Sequence, residues 1–208
     1  MVRERIRVRF AKEDDAVFLS HLDTMRMFER AMRRADLPLS MTQGFNPHPR
    51  ISFPLALAVG VKSTDEALEV DLDSWVPLEE LKRRLERQLP RGFRVMGADL
   101  MTPGVKGRAR EVTYEVSLPE GVEIGDDSVD SFLRRENILV ERWRGDKFSV
   151  LDLKPDLLEL RSGGPNLTIR LRVTEAGLVR PREILEALGY GEEIIARARV
   201  VRTRVIIE

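Results

Sequence analysis

The sequence predicts an α+β fold of two tandem β-α-β-β-α-β units, the ferredoxin-like order, with additional strands. Three observations predict it. RERIRVRF (residues 3–10) and EVTYEVSL (111–118) both alternate apolar and polar residues at period two. Each is followed by an amphipathic helical segment. The order of elements then repeats across TPGVKGRAR, 102–110, a stretch rich in Gly and basic residues. The units are accordingly placed at 1–101 and 111–208, with 102–110 as the linker. No residue-level repeat accompanies the repeated order, so a single continuous α+β sheet with 102–110 as a mere loop stays open.

In the first unit, Ile6, Val8 and Phe10 point to one side of the first strand, and Arg3, Arg5, Arg7 and Arg9 to the other. Ser20 and Asp23 have capping-box spacing at the start of a helix over 21–36, although Asp stands where Glu or Gln is usual. Leu22, Met25, Phe28, Met32 and Ala35 make its apolar face, and Pro38 marks its end. Residues 39–43 and 50–58 read as strands, with Pro54 suggesting an edge or bulge. Strand 67–73, helix 77–89 with Pro in its first turn, and strand 92–101 complete the unit.

The second unit follows the same course. After strand 111–118 come a short helix over 126–137, a hairpin around Gly145-Asp146 and another around residues 162–165. A helix over 181–189 begins at Pro181 and is capped by Gly189. IIARARVVRTRVIIE reads as the last strand.

Composition narrows the chemistry. A hydrophobic fraction of 42% is enough for a packed core. The longest apolar runs fall short of a membrane span, and MVRERIRVRF lacks the apolar core of a signal peptide, so a cytoplasmic location is expected. Cysteine is absent, which excludes disulfides, thiolate catalysis and Cys-ligated clusters. With only His21 and His48 present, a His-rich metal site is excluded too. Acids and bases balance at 35 each, so only local clustering could favour a polyanion.

Such clustering is readable on the sheet faces. In the first unit, Arg3, Arg5, Arg7 and Arg9 are expected beside Glu69, Asp71 and Asp73 on a neighbouring strand, where they pair off. In the second unit, Arg170 and Arg172 share a strand face, as do Arg202 and Arg204, with Glu111, Glu115 and Glu159 as the evident acids. These four arginines are candidates for RNA phosphate contact. No aromatics are interleaved, so base stacking is not supported.

QGFNPHPRISF, residues 43–53, is the segment that least resembles scaffold. Asn46 and His48 each precede a proline and are biased to extended backbone, while Pro47 and Pro49 fix their own φ. Gly44 permits positive φ at the entry. A stiff segment presenting Phe45, Asn46, His48 and Arg50 has little entropy to lose on binding, as a recognition loop requires. A rigid strand connector with a solvated His is the plainer alternative.

FLSHLDTMRMFERAMRRADLPLSMTQGFNPHPRISFPLALAVGVKSTDEALEVDL, 18–72, closely resembles the bacterial radical SAM-linked family through the paired motifs SHLD and QGFNPHP. The likeness is strong over about the first 100 residues and loose beyond. In that family the domain stands alone or is attached C-terminally to a radical SAM protein with a cobalamin-binding-type region, commonly encoded near ribonuclease G-type and ribosomal protein genes. The matching positions are His21, Asp23, Arg26, Gln43, Gly44, Phe45, Asn46, Pro47, His48 and Pro49. The resemblance implies a non-catalytic accessory or substrate-recognition module, linked to RNA or the ribosome and partnered by a radical SAM enzyme. His21, Asp23, Arg26, Gln43, Phe45, Asn46, His48 and Arg50 would form its binding site. CxxxCxxC is absent, so the partner would supply the cluster; neither cofactor nor metal is expected in this chain, nor a membrane or DNA partner.

Two alternatives accompany this reading. Tandem ferredoxin-like units resemble the CRISPR-associated repeat-processing endoribonucleases, in which a His acts as general base without metal. His21 or His48 would take that role, although the Gly-rich C-terminal loop of those enzymes is not evident. The third reading is a purely structural protein-interaction domain.

Overall fold

The computed structural model describes residues 4–144, 146–175 and 177–208. Arg3 of the expected first strand and Gly145 of the expected hairpin turn lie outside the described residues. The chain is α+β and divides into two compact units, Met1–Ala109 with Ile207–Glu208, and Arg110–Ile206.

In the first unit, β1 (Glu4–Lys12), β2 (Ile51–Ser52), β3 (Lys62–Leu72) and β4 (Phe93–Met101) are joined through α1 (His21–Arg34) and α2 (Leu78–Glu86). The strands lie in the order β2-β3-β1-β4, every neighbour antiparallel. Ile6, Val8 and Phe10 of β1 share one core with Leu68, Val70 and Leu72 of β3, Phe28 and Met32 of α1, and Leu81 and Leu85 of α2. Both helices therefore cover the same sheet face. Phe10 and Phe28 meet edge to face at 4.6 Å.

Ser20 caps α1 as its spacing predicts. Its Oγ accepts from the Asp23 N–H at 3.1 Å and donates to Asp23 Oδ2 at 2.7 Å. Of the expected apolar face, Phe28, Met32 and Ala35 are buried, joined by Thr24 and Ala31, while Leu22 is exposed. At the other end Asp36 adopts φ +52°, and Arg84 of α2 donates to the carbonyls of Ala35 and Asp36. The last carbonyls of α1 thus find a charged donor on its neighbour.

Two expected strands are almost absent. Residues 39–43 make only isolated bridges, Leu39 to Leu72 and Met41 to Pro49. Of 50–58, only Ile51–Ser52 pairs, because Pro54 has no N–H to donate to a ladder.

The second unit contains β5 (Ala109–Ser117), α3 (Asp126–Leu133), a separate hairpin of β6 (Leu139–Arg144) and β7 (Lys147–Asp152), then β8 (Leu157–Gly163) and β9 (Asn166–Thr174). The short β10 (Gly177–Leu178), α4 (Pro181–Ala187), α5 (Glu192–Arg197) and β11 (Arg199–Ile207) follow. Its sheet runs β8-β9-β5-β11, with β10 also paired to β9. Val112, Tyr114 and Val116 pair in register with Leu171, Ile169 and Leu167 and are buried with them. The expected last strand begins late. Glu192 and Glu193 behind Gly191 suit a helix N-terminus, so residues 192–197 wind into α5 before β11 starts.

Candidate functional site

Residues 43–47 form an exposed tip, closed by Thr42 and His48. Thr42 N–H donates to the His48 carbonyl at 2.8 Å, and His48 N–H donates to Thr42 Oγ1 at 3.1 Å. The His48 ring is occupied locally as well, with Nδ1 lying 3.2 Å from Thr42 Oγ1 and 3.3 Å from the Asn46 carbonyl. Gly44 takes φ +128°, outside the range that side-chain-bearing residues prefer. Gln43, Asn46 and His48 are exposed, and Phe45 stands fully in solvent at the tip. A fully exposed Phe on a loop with its own hydrogen bonds is presented rather than packed.

The arms of this loop rest on β3. Arg50 N–H donates to the Ser40 carbonyl, Ser40 N–H to the Asp71 carbonyl and Asp71 N–H to the Arg50 carbonyl, at 2.8, 2.9 and 3.0 Å. The Arg50 guanidinium turns back to the Met41 carbonyl at 3.2 Å, so Arg50 braces the loop. Gln43 and Pro47 line a depression of about 840 Å³ with Ser40, Asp73 and Gly104. The buried Ser40 hydroxyl has no hydrogen-bond partner among the described residues.

Asp71 in turn belongs to a buried charge cluster. Arg5 pairs with Asp71 at 2.6 Å and Glu69 at 2.8 Å, and also donates to Ser52 Oγ. Arg7 grips Glu69 through two nitrogens at 3.2 and 3.0 Å. Gly107 N–H reaches both Glu69 oxygens at 3.1 Å. Burial alone would raise the Glu69 carboxyl, but donation from Arg5, Gly107 and Arg7 outweighs it and holds the group below the usual carboxylate range. A Cβ on Gly107 would lie 2.3 Å from Arg7 Nη2, 2.3 Å from Glu69 Oε1 and 2.7 Å from Ile207 Cγ2. The stretch expected as a linker is therefore tied down at Gly107, and Arg108 and Glu208 exchange backbone hydrogen bonds at 2.7 and 3.0 Å.

His21, by contrast, lies half-buried with its ring edge-on to Phe53 at 5.2 Å. It borders a cavity of about 10 Å³, room for one water, with Lys12, Thr24 and Glu66. Lys12 is buried and donates to the Leu19 carbonyl at 2.7 Å. Burial lowers its ammonium from the ordinary lysine value, and Glu66 opposes that shift. The Thr24 hydroxyl is buried without a hydrogen-bond partner among the described residues. Lys12, Thr24 and Glu66 are absent from the sequence-derived site, yet a signal existed. Lys12 continues the inward parity of Ile6, Val8 and Phe10, and Glu66 that of Leu68, Val70 and Leu72.

Asp23 and Arg26 occupy a third setting, a groove of about 540 Å³ between α1 and residues 88–90. The eight predicted site residues thus divide. Gln43, Phe45, Asn46, His48 and Arg50 share the loop, Asp23 and Arg26 share the groove, and His21 borders the small cavity. Among the described residues, no group of three or more His, Asp or Glu is placed to hold a metal, and no helix is long and apolar enough to cross a membrane.

In the second unit the four candidate arginines also separate. Arg202 is buried, donating to the Tyr114 hydroxyl at 3.2 and 3.0 Å with its guanidinium over the ring. Arg202 therefore does not lie on an open basic face as expected; it is buried, with its guanidinium engaged by Tyr114 on the adjacent strand. Arg170 is half-exposed between Glu111 at 3.4 Å and Glu159 at 3.2 Å, and so largely neutralised. Arg172 and Arg204 are exposed. A pair not foreseen lies elsewhere. Arg142 of β6 meets Glu183 of α4 through bonds of 2.8 and 2.7 Å, both side chains buried.

A family model described as "Uncharacterized protein conserved in bacteria (DUF2344)" matches residues 5–181, most of the chain. No curated protein matches. A crystal structure of an unknown protein from Galdieria sulphuraria is similar over 99% of each chain, at 14% identity and a TM-score of 0.27, a likeness too low to carry an argument.

Proposed function

The chain belongs to the DUF2344 family of bacterial proteins, and on that premise we propose that it is a non-catalytic docking module for a radical SAM enzyme with an RNA- or ribosome-linked substrate. The partner supplies the chemistry; this chain supplies a recognition edge at residues 42–50. The observation that carries the reading is Phe45, fully exposed on a loop whose backbone is fixed by Thr42, His48 and Ser40. A large apolar side chain held this way loses little entropy on docking and fits the profile of an interface anchor. We also read both units as ferredoxin-like. The support is their shared strand order, β2-β3-β1-β4 and β8-β9-β5-β11, with the β6–β7 hairpin and β10 as additions.

The endoribonuclease reading draws less support. A single general base must present its ring to the 2′-hydroxyl, whereas the His48 ring is engaged by Thr42 and the half-buried His21 packs edge-on to Phe53. The test is affinity capture from native lysate with RNA and protein both identified, using wild type and Phe45→Ala. A radical SAM protein recovered by wild type and lost with Phe45→Ala is the expected result. Its absence from the wild-type capture, or equal recovery by both proteins, overturns the reading. Metal-independent RNA cleavage abolished by His21→Ala would establish the enzyme instead.

A further inference from the structure

Arg26, Arg30 and Arg34 recur every four residues along α1 and form one ridge beside the groove floored by Leu19, Met27 and Leu89. Arg34 is held at one end by Gln88, donating to its Oε1 at 3.3 Å and its carbonyl at 2.8 Å. Arg26 and Arg30 are exposed and have no ion-pair partner among the described residues. Of the nearby acids, Glu29 is paired with Arg33 at 3.0 Å, while Asp23, which accepts from the Ser20 hydroxyl at 2.7 Å, lines the groove and keeps its charge. Arg26, Arg30 and Arg34 face the single carboxylate of Asp23 in this lining, and a groove left net positive over an apolar floor calls for an anionic ligand that also has apolar surface. Bases would find no aromatic platform among the lining residues, which disfavours single-stranded nucleic acid.

We propose that this groove docks a short acidic segment of a partner protein, with alternate carboxylates on Arg26 and Arg30 and apolar side chains against Leu89 and Pro90. The spacing fits. Residues four apart on a helix rise about 6 Å, and alternate side chains on an extended strand recur at about 6.6 Å. From Arg26 to Arg34 the ridge runs about 12 Å, room for about four extended residues. The site is separate from the loop at 42–50 and does not depend on that loop's role.

The test is an NMR titration of the full chain with three probes: a peptide alternating Glu and Leu, its Gln-for-Glu counterpart, and a U-rich single-stranded RNA. The Glu peptide should shift amides across residues 19–34 and 88–90, and added salt should weaken it. The Gln peptide should bind about tenfold more weakly or not at all. R26E/R30E, with both changes at exposed positions, should lose the Glu peptide and gain one alternating Lys and Leu; R26Q/R30Q should lose the first without gaining the second. Absence of groove shifts with the Glu peptide, equal binding of the Gln peptide, or stronger shifts of the same amides by RNA would each overturn the proposal. Phe45→Ala should leave the titration unchanged, which separates this site from the loop.

Discussion

Between its first helix and its edge strand, each unit inserts a projecting element, and the two are held by different means. In the first unit the insert is the loop at 42–50, closed by its own backbone and Thr42. In the second it is the β6–β7 hairpin, pinned to α4 by the Arg142–Glu183 pair. The loop needs only local bonds and a seat on Asp71, which the Arg5–Glu69–Arg7 cluster keeps in place. The hairpin is held through Arg142, which reaches Glu183 and the Leu178 carbonyl, and through the buried Val140, while its other face leaves Leu139, Phe148 and Val150 exposed. A locally bonded insert keeps its shape when its unit is perturbed, whereas a pinned one moves when its pin is removed.

The largest effect is expected at Glu69. Glu69→Gln leaves the buried Arg5 and the half-buried Arg7 with one carboxylate fewer, a loss of about 3–5 kcal/mol by analogy with other broken buried pairs. Urea unfolding of the whole chain measures it. Because the folded Glu69 carboxyl lies below its unfolded value, its contribution is present above about pH 4.3 and is lost as pH falls through the folded value. The variant should therefore show a flatter acid limb. A stability within about 0.5 kcal/mol of wild type would mean that Asp71 alone suffices for both arginines.

Glu183→Ala should cost less, about 1–3 kcal/mol, since the hairpin can carry Arg142 out to water. Its signature is local. Amide exchange should accelerate in β6 and β7 while β5 and β9 stay protected. Arg142→Met with Glu183→Leu should recover much of the loss, because an apolar pair leaves no charge buried. Uniform acceleration throughout the second unit would mean that the hairpin is integral to its core.

These contrasts were only partly legible in the sequence. The Arg5, Arg7 and Glu69, Asp71 faces follow from strand parity, and the structure pairs them as that parity implies. The Ser20 cap and stiff loop followed from local residue chemistry in the same way. Lys12 and Glu66 were readable by parity too, but a charge at a core position is easily passed over as a strand end. What could not be read depends on distant neighbours. Arg202 and Arg204 share parity, yet only the first is buried, in contact with Tyr114 on the neighbouring strand. The groove exists because residues 88–90 lie along α1, a juxtaposition that helical periodicity does not encode. Gly107 reads in the sequence as part of a linker, whereas the carboxylate it serves is 38 positions away.

The smallest change in stability should come from the loop itself, and it separates presentation from scaffolding. Thr42→Val keeps the side-chain shape and deletes the hydroxyl that accepts from His48 N–H and contacts Nδ1. Water can take over at an exposed site, so the cost should be about 0.5–1 kcal/mol. Gly44→Ala meets nothing within 4 Å, so only its φ of +128° resists the change, at about 1 kcal/mol. Both variants should unfold close to the wild-type urea midpoint while residues 43–47 lose order on the ps–ns timescale of NMR relaxation. Partner capture should fall with that order, because an unfixed Phe45 must be ordered again on binding. If instead the midpoint drops as far as it does for Glu69→Gln, the loop is part of the scaffold of the first unit. The contrast between a locally held insert and a pinned one then fails.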